Sequence, residues 1–308
     1  MFIDLCGHRR LKVGLHTHTT VTDGRKSPEE AAAIYRKAGY DALAITDHWV
    51  YHEGGEIGGL TILSGCEYNI CGLNTASGVV ETYHIVGVGM TREPSIPADY
   101  LMGNGIVVDG HVRDMARILV SAIREVGGLA ILAHPAWSVN TPEQIMGCGD
   151  FDATEIYNST SDWGMNDRPY SGIVVDQLAS QGYYLPLLAT DDTHHYNGDE
   201  CRGAVMVEAD AVEELGMVEA LRRGRFYATQ GPEVHLERLS PDTVRLRCSP
   251  VSKIAVLSNQ PWVGDRMARG EGLTEFTYTV KPSEVYIRAE VTDAYGQVGY
   301  SGIIPLRA

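Results

Sequence analysis

The chain has 308 residues, 44% of them hydrophobic and 21% charged, a length that predicts about two domains and a core that needs neither disulfides nor a structural metal. Lys and Arg total 25 against 40 Asp and Glu, a net charge of −15, which argues against a nucleic-acid backbone or an anionic membrane as the main partner. The excess sits wholly in residues 1–231, because residues 232–308 carry nine basic and nine acidic side chains.

No apolar run approaches the roughly 18 residues of a spanning helix, and the N-terminus MFIDLCGHRR lacks a signal pattern. The six cysteines (Cys6, Cys66, Cys71, Cys148, Cys201, Cys248) include no pair spaced two apart. They read as reduced, small hydrophobic side chains, and a cytoplasmic location is expected.

In chain order, Leu11–Leu15 reads as a short strand. Ser27-Pro28-Glu29-Glu30 then opens a helix, with Ser27 as cap, Pro28 in the first turn and Glu30 closing a capping box. Gly39 ends it. Strands are expected at Ala42–Ile45, Thr61–Ser64 and His84–Val88. A helix near Asp114–Val126 feeds a strand at Leu129–Ala133. Further strands fall at Ala153–Tyr157, Leu185–Ala189 and Ala204–Val207, with helices near Ser171–Ser180 and Val212–Arg223. Alternation of this kind predicts a parallel α/β sheet or barrel. After Gly231-Pro232 the period changes to two, at Val244–Cys248, Phe276–Val280 and Val285–Val291. That pattern predicts a small antiparallel β-sandwich over residues 232–308, following a catalytic domain over residues 1–231.

The metal-ligating residue types cluster at the strand ends. His16 and His18 follow the first strand, Asp47 and His48 the second, and Glu67 the third. His84 opens the fourth, His134 ends the fifth, Asn158 follows the sixth, and Asp192 and His194 end the seventh. Parallel α/β barrels build their sites at the carboxyl ends of strands. Imidazole with carboxylate oxygen suits Zn²⁺, Mn²⁺ or Fe²⁺. Singly, each motif has a plainer reading: Asp47-His48 as a helix cap beside a buried histidine, His134-Pro135 as a core histidine before a turn. Their recurrence at successive strand ends points to metal. Of the other histidines, His8 and His235 read as surface residues, while His111 and His195 lie near the site in sequence.

Leu15-His-Thr-His-Thr, Asp23-Gly24, Ile45-Thr-Asp-His48, Gly65-Cys-Glu67, His84, Ala133-His-Pro135 and Asp192-Thr-His194 together resemble the PHP (polymerase and histidinol phosphatase) family over about residues 11–225. The resemblance implies a distorted seven-stranded α/β barrel holding two or three divalent ions (Zn, Mn or Fe) and acting on phosphoesters. It implies one ion on His16, His18, Glu67 and Asp192. Glu67 would bridge to a second on His84 and His134, and Asp23, His48 and His194 would hold a third. Many relatives have histidine where Asp23 stands, and Asp23-Gly24 is also a good turn pair. Arg225–Gly231, Arg288–Asp293, Glu155–Asn158 and Asp176-Gln-Leu are similar to the branch named after carbaryl hydrolases, some of which cleave carbamate or aryl esters. Residues 69–83 look longer than usual for that branch.

The expected mechanism is metal-assisted hydrolysis, with a hydroxide bridging two ions as nucleophile and Asp192 within the reacting centre. Arg25, Arg113, Arg168 and Arg202 are candidate phosphate grips, with Arg168 and Arg202 in loops beside site strands. His195 is a candidate acid for the leaving group. Trp49 and Trp137 could wall the pocket or simply pack. The expected partner is a small-molecule phosphoester, with no extended nucleic acid and no membrane. A carboxyl or carbamate ester hydrolase using the same ions, and a non-catalytic metal protein with a partner-binding β domain, are the alternatives.

Overall fold

The computed structural model describes residues 1–163 and 166–306. Strand β1 (Phe2–Ile3) pairs antiparallel with β2 (Arg9–Gly14), which leads into helix α1 (Pro28–Lys37). The helix starts at the expected capping box: Ser27 Oγ accepts from the Glu30 amide, and the Glu30 carboxylate accepts from the Ser27 amide. It buries Ala31, Ala32 and Tyr35 and ends at Gly39, whose φ of 80° no β-carbon favours. Strands β3 (Ala42–Ala44) and β5 (Leu60–Leu63) run parallel to β2, with β4 (Gly55–Ile57) antiparallel along the edge of β5.

The chain then departs from the expected alternation. Residues 65–88 form one long hairpin of β6 (Gly65–Asn74) and β7 (Val79–Val88), paired from Gly65↔Val88 to Asn74↔Val79. Residues 69–83, longer than usual for the branch the chain resembles, are therefore mostly strand, and Glu67 and His84 lie within strands rather than at their ends. A small hairpin of β8 (Leu101–Gly103) and β9 (Ile106–Val107) docks on β6. Helix α2 (Val112–Glu125), β10 (Leu129–Leu132), α3 (Pro142–Met146), β11 (Ala153–Asn158), α4 (Gly172–Ser180), β12 (Leu187–Thr190), β13 (Ala204–Glu208), α5 (Glu214–Arg222) and β14 (Phe226–Thr229) follow. No helix among the described residues is long and apolar enough to cross a membrane.

The strands form two sheets instead of one closed seven-stranded barrel. One runs β12-β11-β10-β7-β6-β9-β8, and the other is thirteen-stranded and contains β13-β2-β3-β5-β4. Antiparallel pairing of β7 with β10 and of β13 with β2 interrupts the parallel order. Single β-bridges, Thr17↔Thr193, His48↔Glu67 and His52↔Gly65, link the two sheets. Between them lies an apolar interior drawn from both: Leu11, Val13, Ala44 and Val205 from one, Val86, Val88, Ile131 and Leu188 from the other. Strand alternation explains the sorting. Val86 and Val88 face this interior, whereas Tyr83 and Ile85 pack outward with α2. His84 shares the inner face of β7, and Glu67, paired to Val86, shares that of β6.

After Pro232, antiparallel strands β15 (Val234–Ser240), β16 (Thr243–Leu257), β17 (Met267–Thr279), β18 (Tyr286–Thr292), β19 (Val298–Tyr300) and β20 (Ile304–Pro305) appear as the alternation requires. They are not paired as a separate sheet, because β19 pairs with β14 and so continues the thirteen-stranded sheet. Strand β16 bends where its register with β17 shifts between Arg247 and Val251, and Val244 and Val256 from its two halves pack together with Tyr278 and Ile287. We propose residues 231–232 as the division between the two parts of the chain, since the pairing grammar and the charge balance both change there.

Arg288 ties the two parts together. Its side chain is wholly buried and forks onto Asp176 of α4, with Nε–Oδ1 at 2.7 Å and the second nitrogen to Oδ2 at 2.8 Å. Tyr286 also donates to Asp176, and Tyr170 donates to Glu290 beside Arg288. Glu290 also pairs with the guanidinium, so removing Asp176 leaves it with one of its two carboxylates and two unsatisfied donors. Asp176→Ala is therefore expected to lose about 2 kcal/mol in urea unfolding. The double variant Asp176→Leu/Arg288→Met should lose less than the sum of its single changes.

Candidate metal centre

The structure brings all nine expected ligand residues to one place. They form three linked groups, each with its ligand atoms within 4.8 Å of one another: His16, His18, Glu67 and Asp192; Glu67, His84 and His134; and His18, Asp23, His48 and His194. His18 and Glu67 each belong to two groups. Glu67 Oε2 stands 3.0 Å from His18 Nε2 and from His48 Nδ1, while its Oε1 lies 3.0 Å from His84 Nδ1. Asp192 Oδ1 lies 3.0 Å from His18 Nε2 and 3.2 Å from His16 Nε2.

Local backbone geometry aims these groups. His134, Asp192 and Trp49 adopt positive φ values of 26°, 54° and 58°, conformations that cost non-glycine residues energy and gather at functional sites. Strict alternation would turn His134 away from the inner face that Ala133 shares, and its unusual φ coincides with its return to the site. The seam between the sheets is closed by backbone hydrogen bonds from Asp192 to His16 O at 2.9 Å and from His18 to Thr193 O at 3.0 Å. Asp23 sits in a turn whose Gly24 has no room for a β-carbon, which would lie 2.4 Å from His18 O. The turn reading and the ligand reading of Asp23 are thus compatible: its Oδ2 is 3.5 Å from His194 Nε2 and 3.6 Å from His48 Nε2.

A further set of buried carboxylates orients the ligands. Glu155 accepts from His16 Nδ1 at 2.7 Å, the His134 amide at 2.9 Å and Asn158 Nδ2 at 2.8 Å. Asp47 is not in the ligand groups. It binds the Thr19 amide and hydroxyl and His52 Nε2, fixing the chain after His18. Asp199 holds the amides of His194 and His195 at 2.8 Å each. Sequence reasoning missed Glu155 as a supporting residue. Its signal was an acid in the middle of the apolar strand 153–157, where an unpaired charge would be prohibitive.

The electrostatics show how much negative and positive potential is compressed here. Burial opposes ionisation of Glu67, but His16, His84 and His48 outweigh it and hold its carboxyl well below the usual range. Burial likewise disfavours a charged His194, yet Asp192 and Asp23 push it up to about 9. Asp23 is drawn down to about 2 by its histidines despite partial burial. Four buried ligand atoms have no hydrogen-bond partner among the described residues: His18 Nδ1, His48 Nδ1, Glu67 Oε2 and Asp192 Oδ1. Buried polar atoms are normally satisfied. Orphaned imidazole nitrogens and carboxylate oxygens facing one another fit a divalent cation of the borderline or hard type.

The other expected residues lie around the rim. Trp137 packs against His134 and His84, with ring centroids 4.9 and 5.5 Å away, so it is a wall of the site. The His195 ring is 6.3 Å from that of His194, outside the ligand groups. Arg168 is exposed in the loop after β11. Arg202 is paired with Asp162 at 3.2 Å. Arg113 is withdrawn from the site by two 2.8 Å hydrogen bonds to Glu81, which removes it as a phosphate grip. His111 stacks on Tyr100 and pairs with Asp114. His235, read as a surface residue, has a side chain only 12% exposed, because β15 packs it beside Asp4 and Tyr227.

No family model matches the chain, and no curated relative does either. Solved structures do. A two-domain protein from Bacteroides vulgatus containing a predicted PHP-like metal-dependent phosphoesterase aligns over 98% of this chain and 97% of its own, at 17% identity and a TM-score of 0.50. An amidohydrolase from Chromobacterium violaceum, with bound sulfate and no metal, covers 61% of this chain and 89% of its own at 17% identity and a TM-score of 0.42. A protein from Bifidobacterium adolescentis described as a candidate metal-dependent phosphoesterase covers the same shares at 15% identity and a TM-score of 0.39. The alignment with the first runs through both parts of the chain. The fold is PHP-like, with a C-terminal β-rich part.

If the orphaned atoms are ligands, divalent ions must stabilise the folded chain. Adding Mn²⁺ or Zn²⁺ to chelator-treated protein should raise its melting temperature. One site at about 100 times its Kd contributes about 2.7 kcal/mol. Glu155→Gln should weaken binding by about 10–100-fold in a metal titration while leaving the fold intact.

Proposed function

We propose that the protein is a metal-dependent hydrolase acting on phosphoesters of small molecules. The observation that carries this reading is the sharing of His18 and Glu67 between adjoining ligand groups. Shared ligands place cation sites side by side, the arrangement that suits displacement at an ester centre. In this reading His16, His18, Glu67 and Asp192 hold one ion, His84 and His134 with Glu67 a second, and Asp23, His48 and His194 a third. Zinc, manganese and iron all suit the donor set. When bound, such ions supply Lewis acidity at the ester oxygens and water activated near neutral pH.

The rest is the work of the chain. Glu155 fixes the His16 ring through Nδ1 and so presents Nε2 to the site. Asn158 steadies the free oxygen of Asp192, with Nδ2 at 3.3 Å from Oδ2. Trp137 covers the His84 and His134 side and excludes water there. In this reading Arg168 and Arg202, on the loops after β11 and β12, would steer and grip an anionic oxygen, and His195 would hold a proton for the leaving group. A carboxyl or carbamate ester is the second reading. The observation favouring it is that Arg113 and Arg202 are both already paired with carboxylates, which leaves few cations for a phosphate dianion.

Metal analysis of protein purified without added metal, coupled to assays with p-nitrophenyl phosphate and p-nitrophenyl acetate, separates these readings. At least two ions per chain are expected, with phosphate cleavage that falls more than about 100-fold in His16→Ala, a loss beyond that for an orienting residue. Acetate cleavage alone would move the assignment to the ester hydrolases. Absence of metal after reconstitution would overturn the hydrolase reading.

A further inference from the structure

Away from the metal centre, Asp4, Cys6 and His235 bring a carboxylate oxygen, a thiol sulfur and an imidazole nitrogen within 4.8 Å of one another. Asp4 and Cys6 lie on the turn between β1 and β2, and His235 lies on β15, the first strand after the division at residues 231–232. This turn precedes β2, whereas His16 and His18 follow it, and a strand of six residues separates its two ends by about 20 Å. A cavity of about 560 Å³ opens onto the cluster, and Cys6, Arg10, Tyr227, His235 and Arg247 are among the residues that line it.

The cluster is held from both sides. Asp4 Oδ1 accepts from the amides of Cys6 and His8 at 2.8 and 2.9 Å, which shapes the turn, and Oδ2 accepts from Arg10 Nε at 2.6 Å. A carboxylate offers about four lone-pair sites, so one remains on Oδ2, the oxygen 3.8 Å from His235 Nε2. Glu233 Oε2 takes the Leu5 amide at 3.0 Å and ties the turn to the chain entering β15. The His235 ring packs edge-on against Tyr227, with centroids 5.1 Å apart. Its Nε2 is buried and has no hydrogen-bond partner among the described residues. The Glu233 carboxylate stands 3.6 Å from that nitrogen, too far for a hydrogen bond. An orphaned imidazole nitrogen in a folded interior needs an explanation.

Thiolate, imidazole and carboxylate together suit zinc rather than magnesium or calcium. Bonds of about 2.0–2.3 Å in a tetrahedral site place its donors about 3.3–3.8 Å apart, and the Asp4–His235 separation falls at the upper end of that range. Arg10 does not forbid a cation there. Besides Asp4 and a Cys6 thiolate, the carboxylates of Glu208 and Glu233 stand 3.6 Å from Arg10 and His235 respectively, and Arg247 has Glu237 beside it. We propose that Asp4, Cys6 and His235 form a second metal site, which takes one borderline-soft divalent cation such as Zn²⁺ and clamps the N-terminal turn to the β-rich part. The remaining coordination position faces the cavity. Binding breaks the Cys6 S–H bond, forms a sulfur–metal bond and releases the proton to solvent. The site stands independently of the hydrolase reading.

Cobalt substitution tests the site by a signal the nine-residue centre does not give, because that centre contains no cysteine. Titrating metal-stripped protein with Co²⁺ should produce a sulfur-to-metal charge-transfer absorption in the near ultraviolet. Cys6→Ser should abolish the band and bind one ion fewer. His235→Ala should weaken the binding that produces the band by more than about tenfold, beyond the loss for an orienting residue. Peptide-mapped alkylation of the wild-type protein needs no variant, since Cys6 is partly exposed to the reagent. At about ten times its Kd, Zn²⁺ should slow alkylation of Cys6 about tenfold. Absence of the band in Co²⁺-loaded wild-type protein, a band that persists in Cys6→Ser, or alkylation of Cys6 unchanged by saturating Zn²⁺ would each overturn the site. A His235→Ala protein that folds and binds Co²⁺ with unchanged affinity would overturn it as well.

Discussion

Three carboxylates and six imidazoles are held within a few ångströms of one another at the seam between two sheets, and most of them are removed from water. Such a cluster is tolerable in a folded chain only if opposite charges balance and polar atoms find partners. The protein balances part of it internally, with Glu67 and Asp192 surrounded by histidines. It does not balance all of it, because four ligand atoms remain without hydrogen bonds among the described residues. The surrounding structure answers that demand. Glu155 and Asp199 hold ligand rings and amides in place, Asp47 secures the chain after His18, and three residues around the site accept strained backbone conformations.

The two-sheet architecture follows from how these ligands must converge. A hairpin delivers Glu67 and His84 from neighbouring strands on one inner face. The sheets then need only meet at their site ends, and single bridges with backbone hydrogen bonds accomplish that. The apolar interior below supplies most of the cohesion. Above the seam, the β8–β9 hairpin adds an uncharged wall to a charged centre.

The C-terminal strands have a physical role that composition does not suggest. They continue the barrel-side sheet through β14 and β19 and grip α4 through Arg288 and Asp176. The loop preceding α4 carries Arg168, and its Tyr170 bonds to Glu290 of β18. The β-rich part therefore braces the segment that leads into α4. Arg288–Asp293 and Asp176-Gln-Leu, two motifs far apart in sequence, meet in this one ion pair.

The sequence by itself pointed to the candidate ligands. His16, His18, His48, Glu67, His84, His134, Asp192 and His194 stand out because metal-ligating residue types recur beside successive strands, Asp23 joined them through the resemblance to the PHP family, and the structure gathers all nine. The first helix was equally legible, since a capping box and a terminal glycine act over a few residues. Pairing direction was not legible. Whether a strand joins its neighbour parallel or antiparallel depends on contacts between distant segments, so the alternation read as a parallel barrel where the structure has a long antiparallel hairpin over residues 65–88. The tertiary structure alone decided that Arg113 serves Glu81, that His235 is mostly covered, that Glu155 supports the candidate ligands, and that Trp49 and the 101–107 hairpin line a cavity beside His48. Each of these depends on which side chains meet across the fold, and no local pattern carries that information.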